Sequence, residues 1–165
     1  MKKYIFGLLG ILLGGFALSG CTDQDYEQLD KGSDRLTLTA AQEADTLAEI
    51  NHANNAVTLN WTTGNNAGTG NKISYRLELA KAGTNFAEPY TALADETQVY
   101  TWSINVENLN SLILDKFGGT VGKPTAVDAR ISAIVPGVDG VQTDSLTFHA
   151  MPYQPVTTTL YLLGD

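Results

Sequence analysis

Residues 73–79 read Ile73-Ser74-Tyr75-Arg76-Leu77-Glu78-Leu79, a stretch in which apolar and polar side chains alternate strictly. Successive side chains of a β-strand point to opposite faces of its sheet, so this alternation predicts a strand with one face buried and one face in water. Residues 127–135 repeat the pattern, with apolar side chains at every odd position and Asp128, Arg130 and Ser132 between them. Both segments are typical of an antiparallel sheet that is covered on one side only.

The same alternation recurs in shorter stretches along the chain, at residues 36–39, 57–61, 100–104 and 145–150. Half-buried strands divided by Gly, Asn, Asp and Pro turns bury their apolar faces when two sheets pack together. We therefore predict an all-β fold, an immunoglobulin-like antiparallel β-sandwich. Residues 40–50 are Ala-rich, and we expect extended chain there in preference to a helical turn.

One segment departs from this period, because its apolar residues Val106, Leu109, Leu112, Ile113 and Phe117 fall at helical spacing. An asparagine at position 105 can cap the first turn, and the two glycines at 118 and 119 can end the helix. The pattern predicts one short helix near residues 105–117, which crosses one end of the sandwich between two strands.

Two Gly-rich segments predict turns. Residues 64–72 resemble a phosphate-binding loop in composition, but they lack the required spacing and precede a strand where such a loop precedes a helix. We expect a hairpin loop that joins two strands. Residues 136–140 (Pro-Gly-Val-Asp-Gly) predict a turn between the last two strands.

The N-terminus has the parts of a secretory signal peptide. Lys2 and Lys3 precede an apolar run from Tyr4 to Leu18, which is shorter than the ~20 residues of a membrane-spanning helix. The run ends in Leu18-Ser19-Gly20-Cys21, which looks like a bacterial lipobox. We expect cleavage before Cys21 and lipidation of its thiolate, which gives a lipoprotein that carries fatty acyl chains such as palmitate.

These features divide the chain into four segments. We predict a lipoprotein signal peptide at 1–20, an acidic flexible tether at 21–34 and the sandwich at 35–152. Residues 153–165 are then a linker and the possible first strand of a further C-terminal domain, because Pro152 and Pro155 cannot continue a central strand.

Charge and composition exclude several classes of function. The chain has 10 Lys and Arg against 18 Asp and Glu, a formal net charge of −8. Such a surface repels phosphate backbones, so we expect no nucleic-acid partner. One cysteine excludes an internal disulfide, and two isolated histidines predict neither a metal site nor a cofactor.

Several segments, taken in order, carry a family resemblance. They are residues 56–61 (AVTLNW), 73–86 (ISYRLELAKAGTNF), 109–114 (LNSLIL), 129–133 (ARISA) and 151–153 (MPY). Together with the lipobox and tether, this chain resembles the N-terminal domain of the SusE/SusF-type outer-membrane lipoproteins of starch-utilisation systems. The resemblance covers nearly all of residues 35–155.

The resemblance implies a non-catalytic immunoglobulin-like module that acts as a lipid-anchored spacer for glycan-binding modules. It implies an outer-membrane location, lipid-anchored and facing the cell surface. The implied partners are a TonB-dependent transporter complex and companion glycan-binding lipoproteins, with any glycan contact indirect. No residue of this chain is assigned to glycan binding by the resemblance.

Two binding alternatives remain open at this stage, namely direct carbohydrate binding and an adhesin-type protein-interaction domain. Sugar recognition uses exposed aromatic rings, whereas Trp61, Tyr75, Tyr100 and Trp102 fall in phase with apolar strand residues. We expect these four in the core. The remaining aromatic candidates, Phe86, Tyr90 and Tyr153, fall in predicted loops.

Catalysis is disfavoured, and we predict no catalytic residue. Asp128 and Glu78 are the carboxylates nearest to an apolar setting, yet both occupy the polar phase of their strands. His52 lies in an Asn-rich turn and His149 has an outward phase, so no Ser-His-Asp set is indicated.

Overall fold

The computed structural model describes residues 34–156. The predicted signal peptide, the lipobox, the tether up to residue 33 and residues 157–165 lie outside this range. Within it the chain forms seven strands, which are β1 (Leu38–Glu43), β2 (Asn55–Trp61), β3 (Ser74–Lys81), β4 (Tyr90–Thr97), β5 (Thr101–Asn105), β6 (Thr125–Ile134) and β7 (Gln142–Ala150).

The strands form two antiparallel sheets packed face to face. One sheet has three strands in the order β1-β2-β5, and the other has four in the order β4-β3-β6-β7. The prediction of an all-β, immunoglobulin-like sandwich is confirmed. The two sheets are also linked along one side, where the Leu38 amide donates to the Asp144 carboxylate at 2.7 Å.

The core lies between the sheets and follows the sequence alternation. On β3, Tyr75, Leu77 and Leu79 are buried, and they pair with Ala133, Ile131 and Ala129 of β6, which are buried on the same face. The three-stranded sheet contributes Val57, Leu59 and Trp61 from β2. Alternate residues of both sheets thus supply the apolar contacts that exclude water from the interior.

A short helix closes one end of the sandwich, as predicted. Helix α1 (Val106–Ser111) begins where Asn105 Oδ1 accepts a hydrogen bond from the Asn108 amide at 2.9 Å. The chain continues through a π-helical turn (Leu112–Lys116) and leaves it at Gly118, where φ is +63°. Leu109 and Ile113 are fully buried and anchor the segment to the core. Over residues 34–156, every helix is too short or too polar to cross a membrane.

Two local predictions need correction or completion. Residues 64–72 do not close a hairpin, because β2 and β3 belong to different sheets and the loop crosses from one to the other. Residues 40–50 divide: 40–43 extend β1, and Glu49–Asn51 form one turn of 3-10 helix. The predicted turn at 136–140 does join β6 to β7, with positive φ at both of its glycines.

Strand β4 has no counterpart in the sequence prediction. It forms an edge of the four-stranded sheet, its pairing with β3 shifts register twice, and none of its residues is fully buried. Asp95, in the middle of the strand, has a φ of +56°. A bulged edge strand that buries so little apolar surface does not show a two-residue period.

Candidate functional site

The described chain starts at one end of the sandwich, which we call the N-terminal pole. There the Thr62 hydroxyl donates to the Arg35 carbonyl at 2.7 Å and accepts from the Thr37 amide at 2.9 Å. The Asn65 side chain donates to the Asp34 carbonyl at 3.2 Å. The first described residues are therefore bonded to the loop after β2.

The same pole is tied together by one glutamine. The Gln142 side chain accepts from the Asn65 amide at 3.1 Å and donates to the Asn65 carbonyl at 2.7 Å. These two bonds connect the start of β7 to the loop between the sheets. Gln142 is half-buried.

Three aromatic rings lie against one another at the N-terminal pole, two of them buried and the third, Tyr100, partly exposed. The Tyr75 ring lies 6.1 Å from Trp61 and 5.6 Å from Tyr100, centroid to centroid, and its hydroxyl donates to the Thr63 carbonyl at 2.8 Å. Burial raises the pKa of Tyr75 above its ordinary value, and the nearby Tyr100 adds to the effect. Tyr75 is therefore neutral, with its hydroxyl proton directed at the Thr63 carbonyl.

The chain leaves the sandwich at the opposite end, the C-terminal pole. The Met151 amide donates to the Asp45 carbonyl at 2.8 Å, and the Met151 carbonyl accepts from the Leu47 amide at 3.0 Å. Pro152 is fully buried, and its carbonyl accepts from the Gly122 amide at 2.8 Å. These bonds hold the residues after β7 against both the β1 side and the loop before β6.

The last tight attachment at this pole is made by Asn110 of α1. Its side chain accepts from the Tyr153 amide at 2.9 Å and donates to the Tyr153 carbonyl at 3.2 Å. Asn110 is only 1% exposed, which is unusual for an amide side chain. Burial raises the pKa of Tyr153, and the negative charges of Glu49 and Glu107 raise it further.

The two poles are separated by the length of the strands. Strand β7 starts beside Asn65 at the N-terminal pole and ends at Ala150, just before the C-terminal attachments. Nine residues at ~3.4 Å each span roughly 27 Å from first to last Cα. The described chain therefore begins and ends at opposite ends of a rigid body.

A lateral groove lies beside the C-terminal pole, where the edge strands β4 and β5 face each other across the sandwich. Its volume is about 780 Å³, within the range of small-molecule sites. Residues 102–105 of β5 form one wall, α1 and its π-helical extension form another, and Tyr90 at the start of β4 lies at the side.

The helical wall of the groove is polar. Asn108, Ser111, Leu112 and Asp115 all line it, at the i, i+3, i+4 and i+7 spacing of one helix face. The side chains of Asn108, Ser111 and Asp115 make no hydrogen bond or ion pair to any other residue of the described range. This face presents polar groups whose hydrogen-bonding capacity is open to a ligand.

The structure divides the four aromatic residues that were expected in the core. Trp61 and Tyr75 are buried, and Trp102 is partly buried with one side toward the groove. Tyr100 is 41% exposed, so the prediction that it lies in the core was wrong. It precedes β5 at the open end of the sandwich, where its ring packs edge-on against Tyr75.

The three aromatic residues expected in loops have separate surroundings. Phe86 packs under Arg130, whose guanidinium carbon is 4.1 Å from the ring centroid, on the outer face of the four-stranded sheet. Tyr90 is 38% exposed and lines the groove. Tyr153 is bonded to Asn110 through its backbone.

The candidate acid–base residues lie apart from the groove lining. Glu78 accepts from Arg130 at 2.8 Å, and Asp128 accepts from the Thr147 hydroxyl at 2.6 Å, both on the outer sheet face. His52 and His149 are exposed. In residues 34–156 there is no group of three or more His, Cys, Asp or Glu that could hold a metal ion. Cys21 and the rest of the lipobox lie outside the described residues.

Sequence reasoning missed the groove because its signals look like those of a solvated surface. Asn108, Ser111 and Asp115 form the polar stripe expected of any exposed helix face. Tyr90 lies on the strand that showed no period. The one available signal was a polar helix face that directly follows a strand carrying a tryptophan, Trp102.

Fold and chain path together define a β-sandwich module that the described chain enters at one pole and leaves at the other. The SusE outer membrane protein family matches residues 22–132, from just after Cys21 to Ser132 within β6. The match covers well over half of the chain, and the protein therefore belongs to this family of outer membrane proteins. No curated protein and no solved structure matches the chain significantly.

Proposed function

We propose that this protein is a non-catalytic surface lipoprotein of a system that uses starch-like glycans, in which the sandwich acts as a lipid-anchored spacer. It holds glycan-binding modules or partner proteins away from the outer membrane. The family match to outer membrane proteins and the lipobox-like Leu18-Ser19-Gly20-Cys21 support the membrane location.

The separation of the two poles is the observation that carries this proposal. An anchor upstream of Asp34 and a module downstream of Val156 attach to opposite ends of the same body, about one strand length apart. A domain whose two ends lay at the same pole would not increase the distance between the anchor and the next module. The buried Asn110 and Pro152 hold the outgoing chain in one direction, which a spacer needs if it is to orient the next module.

The partners in this proposal are a TonB-dependent transporter complex and companion glycan-binding lipoproteins. A protein tethered beside a transporter works by proximity, since tethering raises the effective concentration of a bound glycan. Purification of the full chain from its native membrane after mild cross-linking should recover the transporter. Recovery of the chain alone, under conditions in which other outer-membrane complexes of the same cells are cross-linked, would contradict the proposed partnership with the transporter.

The anchor is tested by Cys21→Ser. Lipid chains attached at this residue hold a protein firmly only when two or more are present, and the substitution removes the attachment site for all of them. We expect the variant to move from the membrane fraction to the soluble fraction. Ser19→Ala, which keeps a small residue two positions before the cysteine, should remain in the membrane. Membrane retention of Cys21→Ser would overturn lipid anchoring.

The spacer geometry is tested by a distance measurement. Cys21 is the only cysteine, so Cys21→Ser gives a background in which spin labels can be placed by Asp34→Cys and Val156→Cys. Electron–electron double resonance should give a narrow distribution centred near or above roughly 27 Å, the length of β7 at ~3.4 Å per residue. A short distance, or a broad distribution with no maximum there, would reject a rigid spacer.

A further inference from the structure

A second cavity lies at the C-terminal pole, between the end of β3 and the loop that leads into β6. We call it the lysine cavity. Its volume is about 280 Å³, and it is lined by residues 81–82, 118–120 and 123–126. These residues include two lysines and no Asp or Glu, whereas the lateral groove has Lys116 beside Asp115. The lysine cavity therefore has a positive lining in a chain whose formal net charge is −8.

The two lysines of this cavity have no carboxylate partner in the part of the chain that the structure describes. Over residues 34–156, both ion pairs are formed by arginines. Lys81 and Lys123 are exposed and lie on the lining. Two like charges that border one cavity repel each other, and an anion placed between them replaces this repulsion by attraction.

The lining also includes a hydroxyl group that lacks a hydrogen-bond partner. Thr125 is only 9% exposed, and its hydroxyl makes no hydrogen bond to any residue of the described range. A Cβ atom at Gly119 would lie 2.8 Å from the hydroxyl oxygen, so glycine at this position leaves that side of the hydroxyl uncovered. A nearly buried hydroxyl without an acceptor is a favourable donor for a ligand oxygen.

Backbone hydrogen bonds hold both walls of the lysine cavity in place. The Lys123 amide donates to the Thr120 carbonyl at 3.0 Å, which closes a turn in the loop. The Ala82 amide donates to the Ala126 carbonyl at 3.0 Å, which ties the end of β3 to the start of β6. A site whose walls are already ordered loses little conformational entropy when a ligand binds.

From the unpaired lysines, the unbonded hydroxyl and the ordered walls we propose that the lysine cavity binds a single phosphate group. A phosphate monoester carries a charge of about −1.5 to −2 at neutral pH, which two ammonium groups balance. Its oxygens accept hydrogen bonds from the ammonium groups of Lys81 and Lys123 and from the Thr125 hydroxyl.

The lining and the size of the cavity favour phosphate over other anions and over larger ligands. A carboxylate carries one charge, and its planar pair of oxygens is matched best by the guanidinium group of arginine. Most small-molecule sites have volumes of roughly 300–1,000 Å³, so a cavity of about 280 Å³ suits one terminal group of a molecule better than a whole molecule.

The net charge of the chain limits the proposal to an isolated phosphate. Charges are screened beyond ~8 Å at physiological ionic strength, so a phosphate in the cavity interacts mainly with the lysines of the lining. A nucleic acid would in addition extend over acidic surface, which repels it. The spacer proposal uses only the path of the chain, so either proposal can fail without the other.

Calorimetric titration of inorganic phosphate into the full chain in detergent tests the site. Lys81→Gln and Lys123→Gln should each weaken binding about tenfold, because each removes a hydrogen bond from a charged group. Lys72→Gln is the matched control, since this lysine is also exposed but lies in the loop between the sheets, and its loss changes the net charge equally. We expect it to leave the affinity unchanged. Thr125→Val should weaken binding severalfold.

Two further ligands identify the source of the phosphate group. Glycerol 3-phosphate presents it on a soluble molecule, and short-chain phosphatidic acid presents it on a lipid. Tighter binding of phosphatidic acid than of the other two, with the same response to Lys123→Gln, would assign a lipid headgroup. Equal or tighter binding of the soluble phosphates would assign a soluble ligand. Either result supports a phosphate site.

Four results would overturn the proposal. They are the absence of saturable binding of all three phosphates, binding that Lys81→Gln and Lys123→Gln leave intact, equal weakening by Lys72→Gln, and binding of acetate as tight as that of phosphate. Equal thermal unfolding midpoints of the variants establish that each is folded, so a loss of binding then reports on the site.

Discussion

At each pole of the sandwich, one side-chain amide makes hydrogen bonds to both backbone groups of a single distant residue, but the two sites differ in their exposure to water. At the C-terminal pole the Asn110 side chain bonds both the amide and the carbonyl of Tyr153, and at the N-terminal pole Gln142 bonds both backbone groups of Asn65. Asn110 is 1% exposed, whereas Gln142 is only half-buried. The geometry is alike and the access of water differs.

This difference indicates which attachment is the stiffer one. Water can replace a partner that is lost at a half-buried site, but a buried backbone group left without a partner bears the whole cost of desolvation. The outgoing chain is therefore held more firmly than the loop at the other pole. In a spacer, the more rigid attachment is needed at the C-terminal pole, because the outgoing chain sets the orientation of a following module.

The largest effect is expected for Asn110→Ala. The change removes two hydrogen bonds and leaves the Tyr153 amide and carbonyl without partners, which should lower the free energy of unfolding by roughly 2–3 kcal/mol. Urea denaturation measures this. Asn108→Ala on the same helix, where the side chain is exposed, should cost less than about 0.5 kcal/mol. Equal losses of unfolding free energy in the two variants would contradict the inference that Asn110 stabilises the fold through its buried bonds to Tyr153.

A smaller effect is expected for Gln142→Ala at the opposite pole. The same number of hydrogen bonds is lost, but water can reach the Asn65 backbone, so the loss should be about 1 kcal/mol. The comparison between the poles depends on the ratio of the two losses. A Gln142→Ala cost as large as that of Asn110→Ala, measured in the same urea series, would show that burial does not distinguish them.

Tyr75→Phe tests the interior of the N-terminal pole and its pH dependence. At neutral pH the loss of the bond to Thr63 should cost roughly 0.5–1 kcal/mol. The pKa of Tyr75 is raised in the folded state, so its contribution is complete below the ordinary pKa of 10.0 and is lost as pH rises through the folded value. Stability should therefore fall less steeply above pH ~10 in the variant. Parallel curves for variant and parent would contradict this.

The smallest effect is expected for Glu49→Ala. The Glu49 carboxylate accepts from the Val156 amide at 3.2 Å, at a site where both residues are exposed. The change should alter the free energy of unfolding by less than about 0.5 kcal/mol and leave exchange of the Tyr153 amide unchanged. Faster hydrogen exchange at Tyr153 would mean that the attachment of the chain extends beyond Asn110.

The strands and the helix were predictable where burial is one-sided. Over residues 74–79 of β3 and 127–131 of β6, each apolar residue of the alternating pattern faces the core, so the period in the sequence and the period of burial agree there. Asn105 was identifiable as the N-cap because that role depends on local geometry alone. Strand β4 was not predictable, because an edge with two register shifts and no fully buried residue leaves no period.

The two poles and the groove were beyond the reach of sequence patterns. Asn110 lies 43 residues from Tyr153 and Gln142 lies 77 from Asn65, and no local period connects such pairs. Trp102 shares the phase of its apolar neighbours, yet it reaches the groove because β5 is the outer strand of its sheet. Strand order, which decides which residues are at an edge, is not contained in the phase of a strand.

By itself the sequence determined the class of fold, the family and the expectation of a lipid anchor at Cys21. These depend on properties that neighbouring residues express together, such as alternation, capping and a lipobox-like tetrapeptide. Only the tertiary structure decided that the described chain begins and ends at opposite poles, that Asn110 is buried against Tyr153, and that β4 and β5 border a groove. These depend on contacts between residues far apart in the chain, whose energies arise only when the two sheets pack.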